Sequence, residues 1–258
     1  MYPILFRLNV QGETKAVTAY GVFAVVGILL AALFIIHLAR ERGVDSFDMV
    51  NIIALLVAGG ILSSLLTHFL IFLPDRLRSK SFSDIPAGVV SWGGVVGGFL
   101  SALYASRVWK IPLLRLADMT VPGVALGFAF GRVGCHFAGC CFGLHYDGPL
   151  ALHFTHPLAP AADQAQPLFP IQLLSALLLL LLALLLWRLL TKNLKPGWVF
   201  LAYLLLYGSG RFVVEFYRAD ARGILFSLSD AQWYSLVLLS ATFFLYRHLN
   251  AKETTHAD

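Results

Sequence analysis

Apolar runs of about 20 residues recur along the whole chain, and no other feature constrains its fold as strongly. The run at 171–190, IQLLSALLLLLLALLLWRLL, contains one charged residue and is long enough to cross a bilayer as a helix. Charged residues make up 13% of the sequence, against about 25% in a typical soluble domain. The runs therefore predict an all-α, polytopic membrane protein in which 1–258 form a single integral membrane domain.

We expect about seven transmembrane helices, separated by polar or irregular segments. Their predicted spans are 17–39, 49–73, 88–108, 117–138, 170–190, 197–217 and 229–248. The third span contains GGVVGG at 93–98, and the fourth contains Gly127 and Gly131 at helical spacing. Small residues let helix backbones approach closely in a bilayer, so these two spans are expected to be central and tightly packed.

The distribution of lysine and arginine predicts how the helices are oriented, because excess positive charge stays on the cytoplasmic side. The loops after the odd-numbered spans and the C-terminal end carry Arg40, Arg42, Arg107, Lys110, Arg115, Arg188, Lys192, Lys195, Arg247 and Lys252. The opposite side carries Arg7, Lys15, Arg76, Arg78, Lys80 and Arg222. We therefore expect the N-terminus outside and the C-terminus inside. Topology accounts for the net charge of +5, so no nucleic-acid partner is expected.

Charged residues lie in the C-terminal halves of the fourth and sixth spans and directly after the sixth. Arg132 belongs to the fourth span, and Arg211, Glu215 and Arg218 follow i, i+4, i+7 spacing on one face of the sixth. A cation within a membrane helix costs about 2.5–3.5 kcal/mol on insertion scales, so it indicates a functional site with an anionic partner. At about 1.5 Å per residue, Arg132 and Arg211 lie about 22 and 21 Å from the inner ends of their spans. Both are expected in the outer half of the membrane.

The charges in this layer do not balance, because three arginines accompany one glutamate. One interpretation is an ion-pair network between helices, with Arg218 reaching the outer interface. A surplus of buried positive charge is costly, however, and favours a bound anion. Guanidinium groups bind phosphate through paired hydrogen bonds, so a lipid phosphate entering from the outer leaflet is the expected ligand. An anion transporter is disfavoured, since the sequence shows no internal repeat.

Short motifs stand at intervals along nearly the whole chain. The most specific are GRVG at 131–134 with the downstream Gly143, and YG at 207–208 leading to Arg211, Glu215 and Arg218. Further segments of this kind are AYG at 19–21, SWGGVVGG at 91–98, PIQL at 170–173 and SDAQW at 229–233. In this order, the segments resemble those of the prolipoprotein diacylglyceryl transferases of bacterial inner membranes.

The resemblance implies a reaction and a set of site residues. Such enzymes transfer the diacylglyceryl group of phosphatidylglycerol to the lipobox cysteine thiol of a preprolipoprotein, and glycerol phosphate leaves. By the motif match, Arg132 and Arg211 are expected to contact the phosphate and the leaving group. Glu215 and Arg218 are expected to orient them, with Tyr20 supporting the lipid head group; Arg132, Arg211 and Glu215 form the catalytic set. The other substrate-binding residues implied are Trp92, Gly93, Gly94, Cys135 and Gly143.

The chain departs from the best-known branch of the family at several positions. That branch has histidine at Trp92, asparagine at Cys135, and glutamate at Cys140 and Ser175. The GCC motif at 139–141 is similar to another branch. The resemblance therefore assigns no proton acceptor, although His68 and His136 are at a suitable depth.

The three cysteines, Cys135, Cys140 and Cys141, lie within seven positions. Small and apolar, they are expected to fill space in the packing. A metal site that includes His136 or His145 is one alternative, and a redox pair or an acyl acceptor is another. We expect no metal and no cofactor.

The resemblance also implies a location and partners. The protein is expected in a bacterial inner (plasma) membrane, with its active site toward the periplasmic side. Its expected partners are phosphatidylglycerol, preprolipoprotein signal peptides and membrane lipid. The alternative is a catalytically inactive relative that binds anionic phospholipid or a membrane partner, because Trp92 and Ser175 replace polar residues of the best-known branch.

Overall fold

The computed structural model describes residues 2–10, 13–78, 91–164, 166–192, 194–219 and 224–254. Within these residues the helices are α1 Ala19–Arg40, α2 Ser46–Arg78, α3 Ser91–Val108, α4 Leu113–Ala138, α5 Ile171–Thr191, α6 Trp198–Glu215 and α7 Asp230–Thr254. Each predicted span overlaps one helix, although the start of the third, 88–90, lies outside the described residues. Five helices, α1, α2, α4, α5 and α6, are long and apolar enough to cross a membrane. The fold is that of a polytopic helical membrane protein, and the orientation and the crossing by α3 and α7 remain predictions.

Two short hairpins accompany the helices, and the all-α prediction did not include them. Strands β1 Ile4–Val10 and β2 Glu13–Thr18 pair antiparallel, as do β3 Ile224–Leu225 and β4 Leu228–Ser229. The first hairpin leads directly into α1, where the Gly21 amide donates a 3.2 Å hydrogen bond to the Thr18 hydroxyl. The signal for this hairpin was the two-residue connection Gln-Gly between runs that contain β-branched residues.

The chain divides into two compact units, one comprising Met1–Phe34 and Thr120–Asp258 and the other Ile35–Met119. In the second unit, α2 packs closely against α3. A Cβ atom at Gly93 would lie 2.5 Å from the Ser63 carbonyl oxygen, and one at Gly97 would overlap the Gly59 carbonyl oxygen. The close packing expected of the third span is therefore found, and its partner is α2.

In the first unit, α1 crosses α4 at a pair of glycines. A Cβ atom at Gly27 would lie 2.8 Å from the Phe130 Cβ and 2.9 Å from the Gly127 carbonyl oxygen. Nearer the end of α4, the Phe23 and Phe137 rings stack with centroids 5.1 Å apart. Helix α6 contacts both α5 and α7. The fourth span is thus tightly packed within its unit, as the sequence predicted.

The segment between α4 and α5 is irregular, apart from a 3-10 helix at Pro160–Asp163. The segment is rich in proline and alanine, and we call it the arm. A small apolar cluster of its own fixes this arm: Phe142, Phe154, Ala161 and Leu168 are buried together. Backbone hydrogen bonds of 2.9 Å in both directions join Leu152 to Leu168.

Candidate functional site

Arg211 and Glu215 form an ion pair within α6, as their i, i+4 spacing predicts. The Arg211 Nη1 and Glu215 Oε2 atoms are 2.8 Å apart, and the two side chains are 14% and 4% exposed. The Ser229 hydroxyl donates a 3.0 Å hydrogen bond to the other carboxylate oxygen, Oε1. Protein groups therefore engage both oxygens of Glu215, which fixes the carboxylate beside Arg211.

Ser229 belongs to the SDAQW segment and was not among the predicted site residues. Its hydroxyl accepts a 3.3 Å hydrogen bond from the Gln232 amide, while the Gln232 side-chain oxygen accepts one of 2.9 Å from the Ser229 amide. This reciprocal pair is a capping box at the start of α7. The signal was present in the sequence as serine followed three residues later by glutamine. The cap positions the hydroxyl that holds Glu215.

Arg132 lies beside the Arg211–Glu215 pair because α4 and α6 are neighbours. The ring centroids of Phe128 and Tyr207 are 6.0 Å apart. Arg132 and Arg211 each follow one of these rings by four residues, about one helical turn. Besides its ion pair with Glu215, Arg211 lies within electrostatic range of Arg132 and Arg218. The three arginines are thus within electrostatic range of one another around Arg211, and their assigned roles remain predictions.

Helix α6 ends before Arg218, so this residue lies beyond the helix and not on its face, where the i, i+7 spacing predicted it. Backbone pairing instead places Arg218 beside the segment that follows α4. Gly143 and Arg218 form an antiparallel bridge, and the Leu144 amide donates a 3.0 Å hydrogen bond to the Tyr217 carbonyl oxygen. A Cβ atom at Gly143 would lie 2.5 Å from the Phe169 carbonyl oxygen. Only glycine therefore permits this approach without a backbone shift. The structure gives Gly143 a clear part in building the site, and substrate contact by Gly143 remains a prediction.

Tyr20 also lies at this site, at the start of α1. A Cβ atom at Gly134 would lie 3.3 Å from the Tyr20 Cα, so the two helices touch here. The Tyr20 side chain is half-exposed and lies within electrostatic range of Arg132 and of the cysteine cluster. A half-exposed phenol beside a guanidinium group is suitably placed to contact a polar head group.

The three cysteines converge at the end of α4. Their Sγ atoms all lie within 4.8 Å of one another. Helix α4 ends in a Schellman motif, in which Gly139 adopts φ +69° and the Cys140 amide donates a 3.2 Å hydrogen bond to the Cys135 carbonyl oxygen. This turn brings residue 140 back over residue 135. Cys141 follows with φ +59°, a left-handed conformation that is uncommon for a residue with a side chain.

The pKa values of Cys140 and Cys141 move in opposite directions. Hydrogen bonds with the Cys135 and Cys140 thiols lower the pKa of Cys141, and the positive charges of Arg218 and Arg132 act the same way. Hydrogen bonds with the other two thiols raise the pKa of Cys140, and burial raises it further. Negative charge within the cluster is therefore concentrated on Cys141.

Two polar side chains near the cysteines, one buried and one partly buried, differ in what they do. Gln172 is 1% exposed, and its Nε2 donates a 3.0 Å hydrogen bond to the Cys140 carbonyl oxygen. It was missed as a site residue, although a glutamine in the leucine-rich fifth span was a signal. The His136 ring packs at centroid distances of 5.5 and 6.3 Å against Phe137 and Phe154. The aromatic surroundings of His136 favour a packing role.

The remaining predicted residues belong to the second unit, at the start of α3. Trp92 is 40% exposed, Gly93 is buried and Gly94 is partly buried. The buried face of Gly93 is occupied by its contact with α2 described above. Substrate binding by Trp92, Gly93 and Gly94 stays a prediction.

An apolar groove of about 450 Å³ lies in the first unit, and the α4 residue that lines it precedes Arg132 in the sequence. Its lining residues are Leu30, Leu33, Phe34, Leu126, Leu180, Ala183, Leu184 and Trp187. Leu126 precedes Arg132 by six residues, about 9 Å along the helix axis. A groove of this size falls within the range of small-molecule sites.

Comparison with known proteins finds one matching family and several similar relatives. A model of the family described as prolipoprotein diacylglyceryl transferase matches residues 3–247. A phosphatidylglycerol–prolipoprotein diacylglyceryl transferase of Clostridium tetani is 32% identical over 247 residues, covering 95% of this chain and 97% of the relative. A protein of Clostridium perfringens named as the second such transferase is 34% identical over 231 residues, covering 88% and 89%. One from Dehalococcoides mccartyi is 32% identical over 266 residues, covering 96% and 98%.

Proposed function

The chain belongs to the prolipoprotein diacylglyceryl transferase family, and from this premise we propose that it transfers the diacylglyceryl group of phosphatidylglycerol to a prolipoprotein cysteine. One observation carries the proposal: the buried Arg211–Glu215 ion pair lies within electrostatic range of both Arg132 and Arg218, so three arginines and one glutamate share a cationic site. Such a site in a membrane helix bundle needs an anion. The phosphate of an anionic phospholipid supplies that charge.

The proposed reaction breaks one carbon–oxygen bond and forms one carbon–sulfur bond. The substrate thiol loses its proton, and its sulfur attacks the glyceryl carbon next to the phosphate. The electron pair of the broken bond leaves with glycerol phosphate. Arg132 and Arg211 stabilise the charge that grows on this phosphate, because guanidinium groups can donate two parallel hydrogen bonds to it.

Glu215 and Arg218 act on the geometry of this site. Glu215 holds Arg211 at 2.8 Å and is itself held by Ser229, so the Arg211 side chain is ordered before the lipid arrives. Arg218 is carried into place by the Gly143 bridge. Tyr20 contacts the glycerol head group of the lipid, and the apolar groove receives one acyl chain.

The experiment uses the full-length protein in vesicles with a lipobox peptide, and mass spectrometry detects the thioether product. Wild type is expected to modify the peptide in vesicles of phosphatidylglycerol and not in vesicles of phosphatidylcholine. Arg132→Ala and Arg211→Ala are each expected to lower the rate by about 10²–10³-fold, as for the loss of one transition-state donor. Arg132→Lys keeps the charge but not the paired hydrogen bonds of the guanidinium group, so its rate is expected to lie between those of Arg132→Ala and wild type.

Arg188→Ala provides the matched control, because this exposed arginine lies in the last turn of α5, away from the site. It is expected to keep wild-type activity. Complementation of a bacterium depleted of its own transferase tests the same claim in cells. If the wild-type protein inserts properly but forms no thioether and does not complement, the proposed activity is wrong. Tight binding of phosphatidylglycerol under those conditions would support the inactive lipid-binding alternative.

A further inference from the structure

The backbone at the end of α4 brings three thiols together. The Sγ atoms of Cys135, Cys140 and Cys141 lie within 4.8 Å of one another. The Schellman turn at Gly139 returns the chain over the end of α4, and the left-handed Cys141 costs about 1–2 kcal/mol in backbone energy. Simple space filling requires neither the convergence nor this strain. The arrangement favours a role in binding over the packing role expected from the sequence.

The spacing of the sulfur atoms suits a tetrahedral zinc ion. With zinc–sulfur bonds of about 2.3 Å, two thiolates on one zinc stand about 3.8 Å apart, so a contraction of about 1 Å closes the cluster. Cys140 and Cys141 are partly buried and Cys135 is 8% exposed, so the pocket excludes most water while leaving a path of entry. Arg132 and Arg218 lie within electrostatic range of Cys141, so the cluster lies near the proposed phosphate site.

The protein supplies three ligands to such an ion and leaves the fourth position open. Among the described residues, the group of potential ligand atoms contains the three cysteines and no histidine or carboxylate. His145, which the sequence offered as a ligand, instead pairs with Asp147 at 2.8 Å. Structural zinc sites have four protein ligands, whereas catalytic sites have three and an exchangeable position. The cysteine cluster is of the second kind.

We propose that Cys135, Cys140 and Cys141 bind one zinc ion, and that the open fourth position of this zinc takes the cysteine thiol of the prolipoprotein substrate. The inference rests on the proposed function, since that reaction uses a thiol nucleophile. A thiol that coordinates zinc loses its proton at neutral pH. The site therefore provides the thiol activation for which the sequence assigned no proton acceptor.

The site stands next to the proposed phosphate site, as the reaction requires. Tyr20 is within electrostatic range of all three cysteines and of Arg132, so one side chain borders both groups. The substrate S–H bond breaks, and its proton passes to a water molecule beside the site. The sulfur then forms the carbon–sulfur bond, and the carbon–oxygen electron pair departs with glycerol phosphate beside the arginines. No oxidant or reductant is needed, and the zinc stays on the three cysteines.

The first test measures binding without reference to activity. Full-length protein, purified in detergent under reducing conditions, is exposed to zinc, desalted and analysed for metal content. We expect one zinc per chain in wild type and only background zinc in Cys140→Ser and Cys141→Ser. The matched control, His145→Gln, is expected to keep its zinc. Thiol alkylation followed by mass spectrometry gives a second readout on wild type alone: zinc should protect all three cysteines.

The second test asks whether the substrate sulfur reaches the metal. Cobalt replaces zinc, and its thiolate charge-transfer absorption is recorded as a lipobox peptide is added. The band is expected to strengthen with the cysteine peptide and to stay unchanged with a peptide in which serine replaces that cysteine. Removing the metal should lower kcat by about 10²–10⁴-fold, the range of proton-transfer catalysis, and leave the KM for phosphatidylglycerol unchanged. Zinc added back should restore kcat.

The outcomes separate this proposal from the proposed function. An active wild-type protein that binds no zinc, or whose cysteine variants keep full activity, overturns the zinc site and leaves the transferase intact. Zinc binding with no thioether formation and no response to the peptide overturns both the thiol step and the activity. Loss of zinc in His145→Gln would mean that the fourth position is not open. An intramolecular disulfide in place of bound metal would also overturn the proposal.

Discussion

Replacing Glu215 with glutamine tests the charge balance on which the site depends. The substitution keeps the shape of the side chain and removes its negative charge. Arg211, whose side chain is 14% exposed, would then lose the carboxylate that lies 2.8 Å away, while Arg132 and Arg218 continue to repel it. We expect Glu215→Gln to be among the more destabilising single substitutions in α6.

The magnitude follows from the geometry. With charge centres about 4 Å apart and an effective dielectric constant of about 20, the attraction is about 4 kcal/mol. Removing one partner of a buried ion pair costs about 3–5 kcal/mol, since the other charge stays buried without compensation. We therefore expect Glu215→Gln to lower the free energy of unfolding by about 3 kcal/mol. Ser229→Ala deletes one hydrogen bond to the same carboxylate and should cost about 1.5–3 kcal/mol.

The assay is reversible unfolding of the purified protein in mixed micelles with increasing denaturing detergent, measured for Glu215→Gln, Arg211→Gln and the double variant. The double variant removes both charges, so it should be more stable than the sum of the single losses predicts. Added phosphatidylglycerol should raise the free energy of unfolding less in Arg211→Gln than in wild type. A loss under about 1 kcal/mol for Glu215→Gln, with no coupling to Arg211→Gln, would show that the pair does not carry the electrostatics of the site.

Three further predictions concern close contacts and thiol reactivity. Gly97→Ala should lower the free energy of unfolding by about 1–3 kcal/mol, because its Cβ would overlap the α2 backbone. A Cβ at Gly98 would have nothing within 4 Å, so Gly98→Ala should leave this free energy unchanged or raise it by up to about 1 kcal/mol. Gly143→Ala should lower both the melting temperature and the affinity for phosphatidylglycerol vesicles, and wild-type values for both would contradict the close approach to the Phe169 carbonyl oxygen. In metal-free protein at neutral pH, iodoacetamide should modify Cys141 before Cys140. The lowered pKa of Cys141 keeps more of it as the reactive thiolate at this pH, and the raised pKa of Cys140 keeps it as the thiol. Equal modification rates by mass spectrometry would refute this.

Much of the helical framework could be predicted because the bilayer imposes it. A helix must cover about 30 Å of hydrocarbon, so its length and apolar composition are written locally in the sequence. The predicted spans 170–190 and 197–217 differ from α5 and α6 by one or two residues at each end. The N-terminal hairpin was missed, since a short polar alternation is a weak signal beside strong apolar runs.

The cationic part of the site could also be predicted to a useful degree. Arginine within an apolar helix is costly wherever it lies, so Arg132 and Arg211 stood out without any knowledge of their neighbours. The i, i+4 pairing of Arg211 with Glu215 is local as well, and the structure contains it at 2.8 Å. Ser229 and Gln172 were not predicted to join the site, because their partners are distant in the sequence.

The sequence by itself determined the helices, the face of α6 that carries Arg211 and Glu215, and the surplus of positive charge, since each depends on residues a few positions apart. Only the tertiary structure decided that the bridge at Gly143 would bring Arg218 beside the segment that follows α4, and that three thiols would face one point. The bridge depends on a segment far along the chain, and the local turn that gathers the thiols is held by remote hydrogen bonds to the Gly139 and Cys140 carbonyl oxygens. No local pattern in the chain specifies which remote segment supplies such bonds.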